Sequence, residues 1–238
     1  MHRRLKIYQS FWHIFWVITI ITVPFLFLFF FSHYSHIALS SLLRDFEYSF
    51  TRIFIAYLVS VTLAWIFAVI FYKGKAATVG LPIFDVLQSF PTFAALPLAV
   101  YFWGPSNLTV VAFLIVTIIW PIFFSVVSSL KLIRRDWEEV AQITNLKGSN
   151  YFKNFLFPVT VPGLITGSII GLGEGWEAVV ATEIIVKVHG GLGNFFGAHA
   201  SDAQLTIFGI LGFLLLIFCI NKIIWLPLLE ISHKLMEE

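Results

Sequence analysis

This sequence of 238 residues contains few cysteines and few charges for its length. Its single cysteine, Cys219, excludes an intrachain disulfide and a metal site built from cysteines. Charged residues make up 12% of the chain, against roughly 25% in a typical soluble domain. The sequence also lacks a glycine-rich phosphate loop ending in Gly-Lys-Ser or Gly-Lys-Thr. We therefore expect that any ATP used with this protein is bound by another chain.

Apolar residues are abundant instead. Hydrophobic types make up 59% of the chain, and 27 residues are phenylalanine. This composition is typical of a protein with several membrane-spanning helices in one domain. Residues 32–47 are polar and predict irregular structure, whereas Pro91 and Pro97 predict a bend in the third apolar run. The six predicted spans are residues 11–31, 53–72, 86–103, 108–127, 159–186 and 205–229.

The basic residues are unevenly distributed between the loops of this six-span arrangement. Six spans place both chain termini on the same side of the membrane. Twelve of the 15 Lys and Arg residues fall on that side, whereas Arg44, Arg52 and Lys187 fall on the other. Because Lys and Arg accumulate in cytoplasmic loops, the pattern predicts that both termini and the polar segment 131–158 are cytoplasmic.

Residues 136–162, the longest polar stretch between apolar runs, predict two short helices joined by a turn. Asp136 and Glu139 have the spacing of a capping box at a helix start. Asn145 stands where the apolar spacing of that helix ends, and asparagine tolerates the left-handed conformation that terminates helices. Ser149 predicts the cap of a second helix over residues 150–157, which Pro158 should close.

This stretch resembles the EAA loop of permease subunits in binding-protein-dependent ABC importers. The family pattern is Glu-Ala-Ala, three residues, Gly, nine residues, an aliphatic residue, one residue and Leu-Pro. Asn145 takes the place of the family glycine, a mild departure because asparagine also accepts a left-handed backbone. The other positions of the pattern are held by Glu139, Val140, Ala141, Phe155, Phe157 and Pro158.

Further motifs extend the resemblance over residues 42–230 and favour the nitrate, taurine and sulfonate branch of these permeases. Residues 89–98 look like the Pro-x-x-Ala-x-x-Pro-Leu stretch of that branch. Residues 176–183 look like its Trp-x-x-x-Val-x-Ala-Glu, with Thr182 where alanine is usual. Residues 103–106 depart from the Phe-Gly-x-Gly turn of the branch.

The resemblance implies the all-α fold of a type I ABC importer permease. One domain, residues 1–238, would contain six membrane helices and a cytoplasmic coupling-helix loop at residues 131–158. This loop would dock on the ATPase, and the residues expected to carry the docking are Glu139, Ala141, Asn145, Leu146, Gly148, Phe155, Phe157 and Pro158.

The same resemblance implies a multi-pass protein of a prokaryotic inner or plasma membrane. It would import a small solute of the nitrate, sulfonate or taurine kind, together with a second permease subunit, identical or different. Two ATPase subunits, which would bind ATP and Mg²⁺, and an extracytoplasmic solute-binding protein would complete the transporter. The chain itself is expected to have no catalytic residue, no cofactor, no metal and no nucleic-acid partner.

The fifth apolar run contains a glycine stripe. The stripe predicts close approach of another helix, either within this chain or in a second subunit, and the sequence leaves both possibilities open. Its members recur at every fourth position and are Gly163, Gly167, Gly171 and Gly175.

The same run contains Trp176 and three acids, which are candidates for lining the pathway. A carboxylate inside the bilayer costs about 3 kcal/mol unless it is paired, protonated or facing water. Glu183 matches a family position, which favours a structural role as an acceptor of hydrogen bonds from another helix. For Glu174 and Glu177, the alternative to lining the pathway is that nearby glycines break the helix and let both acids reach water.

Two other classes of function compete with this interpretation. A secondary transporter using Glu174 and Glu177 as a proton or cation relay predicts internal repeats, and none is evident. An intramembrane enzyme needs a nucleophile with a base, or paired aspartates, at mid-membrane. Asp85, Asp136 and Asp202 instead lie near span ends.

Four histidines fall on the side of the membrane opposite the termini. His33 and His36 have a spacing that metal ligands use, but interfacial histidines without a metal are common. We therefore expect no metal site from this pair or from His189 and His199.

Overall fold

The computed structural model describes residues 18–19, 22–225 and 227–228, in which helices are joined by short turns and no strand occurs. Two π-helical turns, Phe152–Leu156 and Asn221–Trp225, interrupt or extend the α-helices. The helices are α1 (Thr22–Ser35), α2 (Leu39–Phe71), α3 (Gly74–Gln88), α4 (Thr92–Trp103), α5 (Asn107–Lys131), α6 (Arg135–Ile143), α7 (Gly148–Tyr151), α8 (Phe157–Val186), α9 (Leu192–Ala198) and α10 (Ala203–Ile220).

Several of these helices are long and apolar enough to cross a membrane. They are α2, α5, the continuous stretch Gly148–Val186 and the stretch Ala203–Trp225. The α3–α4 pair passes the same test as one broken span, so the described residues contain four spans or five. The all-helical membrane fold is thereby confirmed. Nine of the 21 residues of the first predicted span, residues 11–31, lie outside the described residues, and the count of six stays a prediction.

Two predictions of local structure are wrong. Residues 32–47 are mostly helical, because α1 continues to Ser35 and α2 begins at Leu39. The third predicted span is not one bent helix but two helices, which meet at 81° across residues 89–91. Pro91 accounts for the break, since a proline ring disfavours the helical conformation of the residue before it. Pro97, by contrast, lies inside α4 without ending it.

Helix α5 forms the centre of the bundle and packs between α2 and α8. Both neighbours present small residues at every fourth position. On α8 these are the glycines of the predicted stripe, and a Cβ atom added at Gly167 would lie 2.6 Å from Ile122 Cα of α5. This backbone-to-backbone approach explains why the position holds glycine. The stripe thus packs within the chain.

A second small-residue stripe, on α2, was not predicted from the sequence. Its members have no exposed surface, and the Ser60 hydroxyl donates a hydrogen bond to the Ile115 carbonyl of α5 at 3.2 Å. Residues four apart share one face of a helix, so the whole stripe faces α5. Its members are Ala56, Ser60, Ala64 and Ala68.

The outer surface of the bundle is apolar. Gly212 is the only buried residue of α10, and large side chains such as Phe30 and Tyr101 are exposed on α1 and α4. Such a surface is suited to lipid or to a neighbouring subunit. The two ends of the bundle are named here by their helices. The α6 end holds the start of α8 and the end of α2, and the α9 end holds the end of α8 and the start of α5.

Candidate functional site

Helix α6 and the turn after it form a rigid unit at the α6 end. Asn145 has a φ of 54°, which confirms the predicted left-handed helix stop. The Leu146 N–H donates to the Ala141 carbonyl at 3.0 Å, the long backbone bond of a Schellman motif. Gly148 also has a φ of 54°, in the region that favours glycine. The turn from α6 to α7 is therefore fixed by two left-handed residues.

The start of α6 differs from the prediction. The helix begins at Arg135, so Asp136 lies inside its first turn. The Asp136 carboxylate accepts hydrogen bonds from the Arg134 guanidinium, at 3.1 Å from Nε and 2.8 Å from Nη2. The predicted capping box of Asp136 and Glu139 is thus wrong, and Glu139 is exposed.

The exposed face of α6 combines apolar side chains with the acids Asp136 and Glu139. Trp137, Val140 and Ile143 are 43%, 58% and 83% exposed. Ala141, however, is only 3% exposed, so its size is limited by its own chain. The expectation that a partner surface presses on Ala141 therefore does not fit the structure.

The second half of the segment continues directly into the membrane helix. Helix α7 begins at Gly148, so Ser149 lies inside the helix and does not cap it. Pro158 does not end the predicted second helix, because α8 begins at Phe157 and continues past it. The π-helical turn Phe152–Leu156 widens the backbone just before Pro158, where a proline ring would otherwise meet the carbonyl four residues earlier. Leu146 and Phe155 are partly buried, whereas Pro158 is exposed.

Trp65 connects this continuous helix to α2. Its ring packs edge-on against Phe152 and Phe157, with ring centroids 5.0 and 6.2 Å away. Its indole N–H donates to the Thr160 hydroxyl at 3.0 Å. Movement of the start of α8 must therefore displace α2 or break these contacts.

A weaker contact joins α6 to the turn between α2 and α3. The Lys73 ammonium lies 3.5 Å from the Glu138 carboxylate, and both side chains are largely exposed. A hydrogen bond with Tyr72 is the main reason that the pKa of Lys73 lies above its usual value, so Lys73 is charged at neutral pH. An exposed pair of this kind contributes little stability.

A buried ion pair joins α2 to α8 near the α9 end. The Arg52 guanidinium donates to the Glu183 carboxylate, and the two side chains are 5% and 0% exposed. The Ser49 hydroxyl and the Gly193 N–H also donate to this carboxylate, each at 2.9 Å. Glu183, one of the pathway candidates, therefore lies among hydrogen-bond donors that fix helices together.

The remaining Arg52 donors organise the turn that follows α8. They reach the Gly190 carbonyl at 2.9 Å, the His189 carbonyl at 3.0 Å and the Asn107 side chain of α5 at 3.0 Å. Gly191 has a φ of 117°, and a Cβ atom there would collide with the Glu183 carboxylate. One guanidinium thus connects α2, α5, α8 and the α8–α9 turn.

A cleft of about 530 Å³ opens where the break between α3 and α4 faces the middle of α5 and α8. Gln88, Ser89 and Thr92 line it on the side of the break. Glu174 lines it on the side of α8 and is the only formally charged residue in the described lining. Glu174 is exposed, in contrast to Glu183.

The other two pathway candidates do not line this cleft. Glu177 is exposed one turn further along α8. Trp176 is 5% exposed and packs against Phe46 and Phe213, at centroid distances of 5.7 and 5.3 Å. No break separates the two acids from the rest of the helix, because α8 is continuous through Gly171, Gly173 and Gly175.

The histidines are scattered. His189 packs against the Tyr48 ring, and His199 Nδ1 lies 2.8 Å from the Phe195 carbonyl. Within the described residues, no three His, Cys, Asp or Glu side chains gather in a way that could hold a metal ion.

Comparison with known proteins places the chain among transport proteins. Residues 60–226 match the family model described as binding-protein-dependent transport system inner membrane component. The chain belongs to this family. The match covers α5, α6, α7 and α8 completely, and with them both the α6 face and the cleft.

Relatives of this permease carry names from several import systems. The nitrate import permease protein NrtB of Synechocystis sp. is 35% identical over 125 residues, which cover 52% of this chain and 44% of the relative. The bicarbonate transport system permease protein CmpB of Synechococcus elongatus is 26% identical over 114 residues, covering 48% and 41%. The taurine transport system permease protein TauC of Escherichia coli is 26% identical over 140 residues, covering 56% and 51%. The chain thus spans about half the length of these relatives.

Sequence reasoning missed Arg52 as the partner of Glu183. The two residues are 131 positions apart, and no local spacing connects them. A signal was nevertheless present, because Arg52 directly precedes one predicted span and Glu183 lies inside another, and a charge within an apolar run needs a partner. Trp120 of the cleft was also missed, since tryptophan in an apolar run is usually a packing residue.

Proposed function

We propose that this permease is the membrane-spanning subunit of an ATP-driven importer and forms half of the pathway for a small solute. Family membership supports import with a binding protein, and the names of the relatives support a solute in the range of nitrate, bicarbonate and taurine. The partners would be a second permease subunit, two ATPase subunits and an extracytoplasmic solute-binding protein. ATP and Mg²⁺ would be held by the ATPase.

The proposed topology follows from the same role. One domain with six spans would have both termini in the cytoplasm, and residues 131–158 would form a cytoplasmic coupling loop. The chain would carry out no covalent chemistry itself.

The observation that carries the proposal is the group of exposed apolar side chains on the α6 face. Trp137, Val140 and Ile143 lie outside the long apolar helices and are not covered by the chain itself. Exposed apolar side chains grouped in such a place are typical of a docking surface for another protein. The family supplies the partner, a cytoplasmic ATPase.

Two contacts support a mechanical role for this face. The turn after α6 is fixed by Asn145 and Gly148, and α7 continues without a break into α8. Trp65 then links the start of α8 to α2. ATP-driven closure of the two ATPase subunits would draw the two coupling loops together and tilt α8 and α2. This tilt would switch the pathway from inward-open to outward-open, and hydrolysis would reset it.

The test is copurification of the ATPase with variants of the exposed face. Val140→Asp and Ile143→Asp each place a charge in a contact that excludes water, which costs several kcal/mol when the charge is unpaired. We expect both variants to fold and to lose the ATPase. Ala200→Asp, at an exposed position of the α9 end, is the control and should retain the ATPase.

Retention of the ATPase and of solute uptake in both α6 variants would remove the coupling role from this face. Ala141→Asp is unsuitable for this purpose, because Ala141 is buried by its own chain and its replacement would test folding. Asn145→Gly should keep the ATPase, because glycine adopts the same left-handed conformation.

A further inference from the structure

The polar groups of the central cleft are mostly hydrogen-bond acceptors. The Gln88 side-chain N–H donates to the Asp85 carboxylate at 2.8 Å. A carboxylate only accepts, so this bond fixes the orientation of the amide. The amide oxygen of Gln88 and its second N–H therefore stay available to the cleft.

Two hydroxyl groups of the cleft are likewise oriented as acceptors. The Ser89 hydroxyl donates to the Asp85 carbonyl at 3.0 Å, and the Thr117 hydroxyl donates to the Phe113 carbonyl at 3.2 Å. Each hydroxyl has one proton, which is used in these bonds, so its lone pairs remain for a ligand. Thr92 and Ser125 carry hydroxyls that can donate or accept.

Trp120 adds an N–H that cannot act as an acceptor. Trp120 Nε1 is buried and has no hydrogen-bond partner among the described residues. The described lining also contains the Gln88 amide, the lone pairs of Ser89 and Thr117 and the Glu174 carboxylate. No Lys or Arg lines the cleft in the described part of the chain.

The position of the cleft is suited to contact with a solute in transit. It lies beside the break between α3 and α4, and the α5 and α8 residues that line it belong to the middle of those helices. Broken helices beside a mid-membrane cavity are where transporters bind their substrates. A cavity of about 530 Å³ has room for a small molecule.

We infer that this cleft contacts the solute, and that it favours a small solute carrying a protonated amine over a permanent anion. The amine would donate to the Gln88 oxygen and the two hydroxyls and would pair with Glu174. A nitrate or bicarbonate ion would meet a carboxylate and several acceptors, with N–H donors only from Gln88 and Trp120 and no Lys or Arg in the described lining. The inference rests on the proposed import function and narrows it to cations and zwitterions.

Three compounds with the same two-carbon backbone separate these possibilities. Ethanolamine carries an amine and a hydroxyl, taurine an amine and a sulfonate, and isethionate a hydroxyl and a sulfonate. Each would be titrated against the full-length permease in nanodiscs by saturation-transfer difference NMR near pH 7, where an alkyl amine is protonated. We expect ethanolamine and taurine to bind and isethionate to bind at least about ten-fold more weakly.

Variants assign the binding to the cleft. Glu174→Gln should weaken ethanolamine binding about ten-fold or more, because it removes a charged acceptor. Glu47→Gln removes an equal charge from an exposed position of α2 outside the cleft, and ethanolamine binding should be unchanged. Trp120→Phe removes the indole N–H and should weaken the binding of taurine more than that of ethanolamine. The reason is that only taurine has an acidic group that can accept a hydrogen bond from this N–H.

Three results would overturn the inference. In the first, isethionate binds as tightly as ethanolamine. In the second, Glu174→Gln and Glu47→Gln weaken ethanolamine binding equally. In the third, none of the three compounds binds up to about 10 mM. Copurification of the ATPase is read separately. If the ATPase copurifies but isethionate binds more tightly than ethanolamine, only the inference fails. If the ATPase never copurifies but ethanolamine binds through Glu174, only the import function fails.

Discussion

At the scale of single residues, the acids of α8 differ in how many hydrogen-bond donors of the chain surround their carboxylates. Glu183 is buried and accepts from Arg52, Ser49 and the Gly193 N–H. Glu174 and Glu177 are exposed. The same residue type therefore serves stability at one position and remains available to a ligand at another.

This contrast predicts different costs for the same substitution. Glu183→Gln leaves the Arg52 guanidinium buried without a counter-charge, which typically costs about 3–5 kcal/mol in stability. Glu177→Gln changes an exposed group and should alter stability by less than about 0.5 kcal/mol. The measurement is the apparent melting temperature of each variant purified in detergent at one scan rate. Equal melting temperatures for the two variants would show that the Arg52–Glu183 pair does not hold the helices together.

At the scale of elements, small residues determine how closely the central helices approach. Glycines of α8 and small residues of α2 line the two sides of α5. In a membrane no hydrophobic effect drives helices together, so close van der Waals packing must supply the attraction. The two stripes therefore stabilise the bundle where longer side chains would separate its helices.

A pair of glycine substitutions on α8 tests this packing. A Cβ atom at Gly167 would lie 2.6 Å from Ile122 Cα and 2.9 Å from the Pro121 carbonyl oxygen, and backbone atoms cannot move cheaply. Gly173 has no atom within 4 Å of such a Cβ. We expect Gly167→Ala to lower the apparent melting temperature by several degrees and Gly173→Ala to leave it equal or slightly higher, since alanine favours helix by roughly 0.5–1 kcal/mol. A Gly167→Ala protein as stable as Gly173→Ala would contradict the packing role.

The elements also show which parts of the fold can be predicted from sequence. The all-helical membrane fold and the helix stop at Asn145 were predictable, because apolar runs and left-handed residues are local signals. The continuation of α8 through Pro158 was not, because it depends on the π-helical turn before it. The bond between Arg52 and Glu183 was not either, since it joins helices far apart in the chain. The cleft likewise depends on how the α3–α4 break is placed against α5.

At the scale of the whole molecule, the two ends of the bundle have different chemistry. The α6 end has exposed apolar side chains and the ion pair of Lys73 with Glu138. The α9 end has the buried Arg52 cluster and the turn that it organises. Under the proposed function, an ATPase would dock at the first end and a solute-binding protein at the second, on opposite sides of the membrane.

The last prediction is therefore topological. Gly148 and Gly190 have φ values of 54° and 67°, and a side chain at Gly190 would press on the Tyr48 ring, so neither position is a good site for a cysteine probe. Ser149 and Ser201 are exposed at the α6 and α9 ends, and Ser→Cys changes little in size. In a Cys219→Ala background, a membrane-impermeant maleimide should label Ser201→Cys in intact cells and Ser149→Cys only after permeabilisation. The reason is the excess of Lys and Arg, twelve of 15, on the predicted cytoplasmic side, to which the segment 131–158 is assigned. Labelling of both cysteines in intact cells would place the α6 face outside the cytoplasm, where no ATPase could reach it.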